Sequence, residues 1–246
     1  MVLTLAGFIT GATVATFHMP FWWNMPSLGA VMLGEQIGWL AAVTGQLVLF
    51  AIIVWLSWRI EHRFRPLPET EPPTERSWHI VWRGPWPLLA GAIGLAVLNG
   101  ATLLLAGHPW SITWAFSLWG GKTLQAVGYD LSQIPFWSGA FQQQALIASI
   151  LADTTSIMNI GLVIGAGLAA GLARRFLPPQ RLSLRAAGIA LFGGLLLGYG
   201  ARIAYGCNIG AYFSGIASTS LHGWLWLVGA LLGTPIGIRL RTFLSG

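Results

Sequence analysis

The sequence predicts an all-α polytopic membrane protein in which broken or re-entrant half-helices interrupt the membrane spans. Three observations lead to this fold class. Only 8% of the 246 residues are charged, whereas soluble domains carry about a quarter charged residues. Apolar segments of roughly the 20 residues that cross a bilayer recur along the chain. Between them lie short arginine clusters and glycine-rich pieces that are too short to cross.

The composition also argues against several classes of function. The length leaves no room for a separate soluble domain. A single cysteine can form neither an internal disulfide nor a CxxC metal site, and the chain contains no P-loop motif for nucleotides. The net charge of +6 comes from sparse Arg and Lys between apolar segments, which is the pattern of cytoplasmic loops. We therefore expect no nucleic-acid partner and no cofactor, with the lipid bilayer as the surroundings.

Residues 1–58 are predicted to be the remainder of a first membrane repeat. Residues 59–83 are predicted to be a cytoplasmic linker. Residues 3–17 are apolar but short and end at His18-Met19-Pro20, so a membrane helix or half-helix is expected to begin at Val2. Residues 37–58 are long enough to cross and carry no charge. The linker combines five arginines and four glutamates with the proline-rich stretch PLPETEPP, which indicates a flexible loop.

Residues 84–246 are predicted to form a second membrane repeat, which includes the stretch around Cys207. Its four predicted crossings are residues 86–105, 157–172, 184–201 and 224–238. In residues 109–152 the apolar segments are short and interrupted by polar residues. Segments this short favour re-entrant or interfacial half-helices over complete spans. Residues 205–220 are expected to form a second broken segment.

The arginine distribution sets the expected orientation. Placing loops 59–83, 174–185 and 239–246 in the cytoplasm requires an even number of crossings between them, which the predicted spans provide. Two units then share the order helix out, broken segment, helix back, and this order indicates an internal repeat. In addition, FITGATVA at 8–15 is similar to ALLGTPIG at 230–237, so the chain is expected to begin partway through a repeat.

The stretch that contains Cys207 is the first candidate site. Gly206 can adopt the unusual backbone angles of an elbow, and Asn208 and Gly210 follow in the same polar, glycine-containing run. A half-helix that begins near Cys207 would direct free N–H groups and a positive dipole end toward an anion. A soft sulfur atom beside these donors suits a sulfur-containing anion. The alternative is that Cys207 is a small buried filler.

Other polar residues of the membrane region carry competing interpretations. Arg202, five residues before Cys207, either serves the site or extends to the interface. Ser111 and Thr113 follow Pro109 in a second half-helix start that could also face an anion. Asp153 is expected to cap the next helix at Thr155 or Ser156. Lys122 could pair with Asp130 or Asp153, or attract anions.

Three motifs together carry a resemblance to a known family: AGHPWSITWAFSLWG (106–120), LADTTSIMNIG (151–161) and GYGARIAYGCNIGAYFSGIASTSLHGWLW (198–226). On these motifs the chain resembles the YeeE/YedE family of bacterial inner-membrane proteins, which are associated with uptake of thiosulfate and related sulfur or selenium species. The resemblance implies an inverted-repeat bundle shaped like an hourglass, with a cysteine-bearing broken segment from each half at a central constriction. It assigns the conducting thiol to Cys207. It also implies a first-half cysteine motif upstream of Val2, so the first repeat is expected to be incomplete.

Three functions follow as hypotheses. The first is a non-enzymatic permease, or a permease subunit, for thiosulfate or a related anion. The second is a membrane sulfurtransferase that hands sulfur from Cys207 to a cytosolic TusA-like carrier, with His222 as the nearest base in sequence. The third is a non-transporting truncated subunit. A complementary membrane chain that carries the first-half motif would be a further partner.

Overall fold

A computed structural model describes residues 2–27, 29–64, 86–174 and 183–245 of the chain. The described residues form helices separated by short connections, and no strand is present among them. In chain order the elements are α1 (Val2–Trp23), α2 (Leu33–Ile37), α3 (Trp39–Phe64), α4 (Leu88–Ala106), α5 (Thr113–Ala126), α6 (Ala140–Ile147), a 3₁₀ turn (Ile150–Ala152), α7 (Thr154–Leu172), α8 (Leu184–Ile203), a π-helix (Asn208–Phe213), α9 (Ser214–Ala217) and α10 (Leu221–Ser245).

Six helical segments of the described part are long and apolar enough to cross a membrane: α1, α3, α4, α7, α8 with its continuation to Ala217, and α10. Helices are the favoured spanning elements because their backbone groups are satisfied within the segment. The predicted class, an all-α polytopic membrane protein, is confirmed. All of the predicted linker after Phe64, residues 65–83, lies outside the described residues, as do residues 175–182 of the next predicted loop.

The first helix is longer than the sequence pattern predicts. Residues 3–17 were expected to form a short segment that stops at His18-Met19-Pro20, but α1 continues through Pro20 to Trp23. Proline removes one backbone hydrogen bond, and membrane helices tolerate this where neighbouring groups compensate. Here the indole N–H groups of Trp22 and Trp23 donate to the hydroxyls of Tyr199 and Tyr205, so the end of α1 is bonded to α8 and to the residues just after it.

The third helix also extends past its predicted end. α3 continues beyond Trp58 to Phe64, so the first residues of the predicted linker are helical. Side chains one turn apart support this extension. The Arg59 guanidinium lies 5.1 Å from the ring centre of Trp55, and the rings of Trp58 and His62 are 4.6 Å apart. Amphipathic side chains of this kind suit the membrane–water interface.

Helices α1 and α8 pack side by side and run in the same direction. Cβ atoms built at Gly7 and Gly11 would collide with the backbone of Leu191 and Leu195, so the two backbones touch along successive turns. Glycines spaced by four residues allow this close approach between membrane helices. The start of α1 therefore lies on the same side as the loop before α8, which is predicted to be cytoplasmic. The opposite end, where α1 and α8 terminate, is called the outer end below.

Helix α5 lies against α1 and runs toward the outer end. The rings of Phe116 and Phe8 are 5.1 Å apart, and a Cβ at Gly120 would collide with the Thr13 side chain. At the outer end, α5, α6 and the connection between them close over the last turns of α1 around one buried apolar cluster: Met19, Leu118, Leu131, Phe136, Trp137 and Leu146. Because α5 begins beside Phe8, the segment before it reaches the interior of the bundle.

Helices α3, α4 and α10 surround this core and expose most of their apolar side chains. Asn99 is the buried residue of α4, and Ala42 is buried in α3. Helix α3 is held by a hydrogen bond from the Gln46 amide to the Ile216 carbonyl and by the Phe50 ring against Trp224. Exposed apolar faces on helices of this length are the surface that contacts lipid.

Candidate functional site

The chain breaks sharply between α8 and the π-helix, as predicted for residues 205–220. Two hydrogen bonds end α8, from the Gly206 N–H to the Ala201 carbonyl (2.9 Å) and from the Tyr205 N–H to the Arg202 carbonyl (3.3 Å). This pair of bonds is a Schellman motif, and it requires a left-handed residue at its turn. Tyr205 occupies that position with φ of 53°.

Gly206 is required by a close backbone contact. A Cβ atom at this position would lie 2.5 Å from the backbone nitrogen of Ala211, well inside van der Waals contact. The contact folds the chain back so that the first turn of the π-helix covers the elbow. The predicted elbow position of Gly206 therefore has a direct steric reason.

Cys207 stands at the N-cap position of the helical run that follows the elbow. Its carbonyl accepts from the N–H groups of Ala211 (2.8 Å) and Tyr212 (3.4 Å), while its thiol makes no capping hydrogen bond. The side chain is half-buried and packs with Phe116 against a small cluster of Phe8, Ala12 and Ala201. The thiol therefore lies where α1, α5 and α8 meet, in the interior of the bundle along α1.

The donors around Cys207 come from the start of the π-helix. The first N–H groups of a helix have no partner within it, and here they belong to Asn208 and the two residues after it. Asn208 itself is exposed. Gly210 is half-buried and faces the other broken segment, because a Cβ at Gly210 would lie 3.5 Å from the Ser111 hydroxyl.

The structure therefore brings together two of the predicted site residues, Ser111 from one broken segment and Gly210 from the other. Thr113 is buried and is the first residue of α5, with Ile112 at the N-cap position. Both half-helices thus begin in the interior of the bundle, within the small region defined by the Ser111–Gly210 contact and the Phe116 side chain.

Arg202 extends away from this contact toward the outer end. Its guanidinium carbon lies 4.9 Å from the ring centre of Phe136, a residue of the outer apolar cluster. Its Nε atom is buried and has no hydrogen-bond partner, and no carboxylate within the described residues forms an ion pair with it. An intramembrane cation without a carboxylate partner among the described residues is expensive, which makes Arg202 a candidate for a functional role.

Two asparagines that the sequence interpretation did not select hold the broken segments in place. The Asn99 side-chain oxygen accepts from the Trp110 N–H (2.9 Å) and from the Ser214 hydroxyl (3.3 Å). The Asn159 amide donates to the Ile112 carbonyl (3.0 Å), and its own oxygen is buried without a partner. The available signal was an amide side chain inside an otherwise apolar span, since such groups are retained where they have partners.

The expected cap at Asp153 is present, because its carboxylate accepts from the Ser156 N–H at 2.7 Å. Two other side chains lie differently from their predicted roles. Lys122 donates to the carbonyls of Leu146 and Ala148 at the end of α6, whereas pairing with an acid was one expectation. His222 lies 2.7 Å from the Ala204 carbonyl, so its Nε2 is engaged with the backbone.

Metal binding has no support in the described ranges, where no group of three or more His, Cys, Asp or Glu side chains comes together. The polar groups at the elbow are uncharged apart from Arg202, and most of them can donate hydrogen bonds. Such a set can bind an anion weakly and selectively without a metal.

Comparison with known proteins identifies relatives of this chain. A family model described as sulphur transport matches residues 1–236. The probable transporter YedE of Escherichia coli (strain K12) is 31% identical over 157 residues, which cover 63% of this chain and 37% of the relative. YedE of Salmonella typhimurium (strain LT2) is 30% identical over 168 residues, covering 67% and 39%. The thiosulfate transporter TsuA of Spirochaeta thermophila is 32% identical over 115 residues, covering 46% and 33%.

The chain thus spans less than two fifths of the length of each of these relatives. No solved structure matches it significantly. The family match covers nearly the whole chain, including both broken segments and the first five helical segments that could cross a membrane in the described part, and it ends at residue 236 within the sixth, α10. The predicted resemblance to YeeE/YedE proteins is confirmed, and the chain belongs to the sulphur transport family.

Proposed function

We propose that this chain forms, or forms part of, a permease in the bacterial inner membrane for thiosulfate or a related sulfur or selenium anion. One observation carries the proposal: the half-buried Cys207 thiol stands at the N-cap of a broken helix where α1, α5 and α8 meet. The relatives support the same function by their names, since YedE is called a probable transporter and TsuA a thiosulfate transporter.

The electrostatics of the site favour an anion that binds and leaves quickly. The free N–H groups that follow Cys207 and the start of α5 at Thr113 each present a positive dipole end. Arg202, without an ion pair in the described part, adds a positive charge between the elbow and the outer end. We infer that Arg202 attracts the anion from the outer side, and that Ser111, Thr113, Gly210 and Asn208 offer it uncharged donors or close backbone approach.

The role proposed for Cys207 is non-covalent. A thiol is a weak donor and a soft, polarizable acceptor, so it can form a short-lived S–H···S contact with the terminal sulfur of thiosulfate. A conducting site must hold its substrate only weakly, and a strong ion pair at the same place would trap a dianion.

The sulfurtransferase alternative finds no support at the elbow. Covalent transfer to a TusA-like carrier requires a base that removes the thiol proton. His222, the nearest base in sequence, is bonded to the Ala204 carbonyl, and the Cys207 thiol makes no capping hydrogen bond. This arrangement favours passage of the anion over covalent capture.

The proposal includes a complementary membrane segment. Each relative is more than twice as long as the part that this chain matches, so those proteins contain further residues outside the matched part. We propose that a second chain with the first-half cysteine motif supplies the other side of the constriction.

Uptake of radiolabelled thiosulfate by cells that express the chain tests the proposal, with and without a partner that carries the first-half motif. Cys207→Ser keeps the size and a donor but removes the soft sulfur, and Cys207→Ala removes both, so uptake should fall at least about tenfold in each. Thr234→Ala is the matched control, because among the described residues that hydroxyl bonds only within α10, to the Ala230 carbonyl.

Parental uptake by both cysteine variants would refute the conducting role of Cys207. Uptake that appears only with the partner would identify a split permease. A persulfide on Cys207, found by mass spectrometry in cells that take up no thiosulfate with either arrangement, would replace the permease with the sulfurtransferase.

A further inference from the structure

Asn99 is an unexpected residue in its helix. It is the single amide in LLAGAIGLAVLNGATLLLA, the sequence of α4, and it is the one buried residue of that helix. A polar side chain inside a membrane helix is costly unless it has partners, and it is retained where it has a function. The rest of α4 exposes apolar side chains, so the burial of Asn99 requires an explanation of its own.

The partners of Asn99 come from both broken segments. Its Oδ1 atom accepts from the Trp110 N–H at 2.9 Å and from the Ser214 hydroxyl at 3.3 Å. The Ser214 hydroxyl also donates to the Trp110 carbonyl (3.0 Å), so its single proton is shared between that carbonyl and Asn99 Oδ1. These three groups form a closed polar cluster, called the clasp below. Ser214 is 2% exposed, so the cluster is shielded and its hydrogen bonds are strengthened.

The clasp lies next to the proposed site. Trp110 directly precedes Ser111, whose hydroxyl faces Gly210 across the gap between the two segments. Ser214 follows the π-helix and lies one turn beyond Gly210. A shift of either segment would therefore change the Ser111–Gly210 separation and the cover that Phe116 of α5 gives to Cys207.

We infer that Asn99 and Ser214 are positioning residues that set the width of the passage beside Cys207 by holding the two half-helix starts at a fixed separation. The inference deepens the permease proposal and rests on it for its effect on substrate selectivity. The part of the inference that concerns geometry states only how easily a reagent reaches the Cys207 thiol. Neither residue is proposed to touch the anion.

The chain offers a direct readout, because Cys207 is its only thiol. The purified protein is treated with N-ethylmaleimide, and the labelling rate of Cys207 is followed by mass spectrometry. Asn99→Leu removes the acceptor and should raise the labelling rate about threefold to tenfold, in line with the loss of the Trp110 hydrogen bond and of the shared Ser214 bond. Ser214→Ala removes one bond and should produce a smaller rise in the same direction.

Two further variants distinguish positioning from general loosening. Asn99→Asp keeps an acceptor oxygen at the same place and should return the labelling rate toward that of the parent. Thr102→Ala is the matched control on the same helix, since within the described part of the chain that hydroxyl bonds only to the Leu98 carbonyl, and it should leave the rate unchanged. The unfolding temperature of every variant is measured, and Ser214→Ala carries the test if Asn99→Leu does not fold.

A faster labelling rate with an unfolding temperature close to that of the parent, rescued by Asn99→Asp, supports the clasp. An unchanged rate in both Asn99→Leu and Ser214→Ala overturns it, as does an equal rise in Thr102→Ala. In uptake assays, clasp variants should accept sulfate better relative to thiosulfate, with KM changed more than the maximal rate. The labelling reaction does not require transport. The labelling rates would therefore still test the role of Asn99 and Ser214 if the permease proposal failed.

Discussion

The same glycine spacing has two different outcomes in this molecule. In α1 and α8, glycines four residues apart (Gly7 and Gly11, Gly194 and Gly198) lie against the backbone of the other helix. In α10, Gly229, Gly233 and Gly237 have the same spacing, yet a Cβ at any of them meets no atom within 4 Å in the described part of the chain. The spacing indicates a helix face that can pack closely, but it does not say where the partner is.

The difference is informative because FITGATVA in α1 and ALLGTPIG in α10 are the two stretches that suggested an internal repeat. Gly11 and Gly233 occupy matching places in them, and Gly11 contacts the backbone of Leu195. Helix α10 starts at the outer end, where His222 meets Ala204, and so runs opposite to α1. Opposite directions for matching helices agree with inverted repeats. Substitutions can test how far this comparison extends.

The largest expected effect is at the packed pair. Gly11→Leu places a large side chain against the α8 backbone, and it should lower the free energy of unfolding by about 3 kcal/mol or prevent folding altogether. Gly233→Leu, on the open face of α10, should leave the unfolding temperature of the purified chain nearly unchanged. Thermal unfolding in detergent measures both. Equal losses would show that the face of α10 is also packed.

The elbow should be the next most sensitive place. Gly206→Ala forces a methyl group to within 2.5 Å of the Ala211 nitrogen, and the required shift should cost about 2 kcal/mol. Gly229→Ala adds the same methyl group where no described atom lies within 4 Å, so it should not destabilise the chain. Proteolysis of the detergent-solubilised variants, followed by mass spectrometry, would locate the loosened segment. A stable Gly206→Ala protein would contradict the close contact.

A smaller effect is expected where a capping residue serves two partners. Asp153 accepts from the Ser156 N–H and from the Trp114 indole (2.9 Å), so Asp153→Ala should cost about 2 kcal/mol, near the upper end for a cap. Ser183→Ala removes a cap with one partner, Ala186, and should cost about 1 kcal/mol. Chemical unfolding curves provide both values. The reverse order would mean that the indole bond adds nothing.

The smallest expected change is a gain in the free energy of unfolding, whereas the preceding substitutions are expected to lower it. Gly165 in α7 meets no atom within 4 Å in the described residues, so its lack of a side chain has no steric purpose there. Alanine loses less conformational entropy on folding than glycine, and Gly165→Ala should stabilise the chain by about 0.5–1 kcal/mol. A rise in the unfolding temperature checks this. A fall would indicate a neighbour at α7 in the purified assembly.

The sequence was sufficient for the features that depend on local composition. Apolar length and arginine placement predicted the crossing helices, and the glycine run predicted the break at Cys207, because each depends on a few neighbouring residues. The end of α1 was predicted wrongly. Proline is a strong stop signal in water, but Trp22 and Trp23 are bonded to tyrosines at positions 199 and 205. Contacts of such long sequence separation are not visible in a local pattern.

Within the candidate site, the sequence could predict which residues are polar but not which of them meet. Ser111 and Gly210 were both selected, yet nothing in their separate neighbourhoods showed that they face each other. Asn99 was overlooked because its partners, Trp110 and Ser214, lie on two different segments. Lys122 has acids within reach in sequence, but the free carbonyls at the end of α6 are its actual partners.

The parallel packing of α1 on α8 also has a consequence for biosynthesis. Helix α1 begins at Val2, whereas its packing partner begins at Leu184, so most of the chain is synthesised between them. At roughly 5–20 residues per second, α1 spends on the order of 10–40 s in the membrane before α8 exists. During that interval its glycine face, later covered by backbone, contacts lipid or the insertion machinery. The core of the bundle is therefore among the last parts to assemble, and a ribosome that stalls before α8 leaves an inserted helix with no partner.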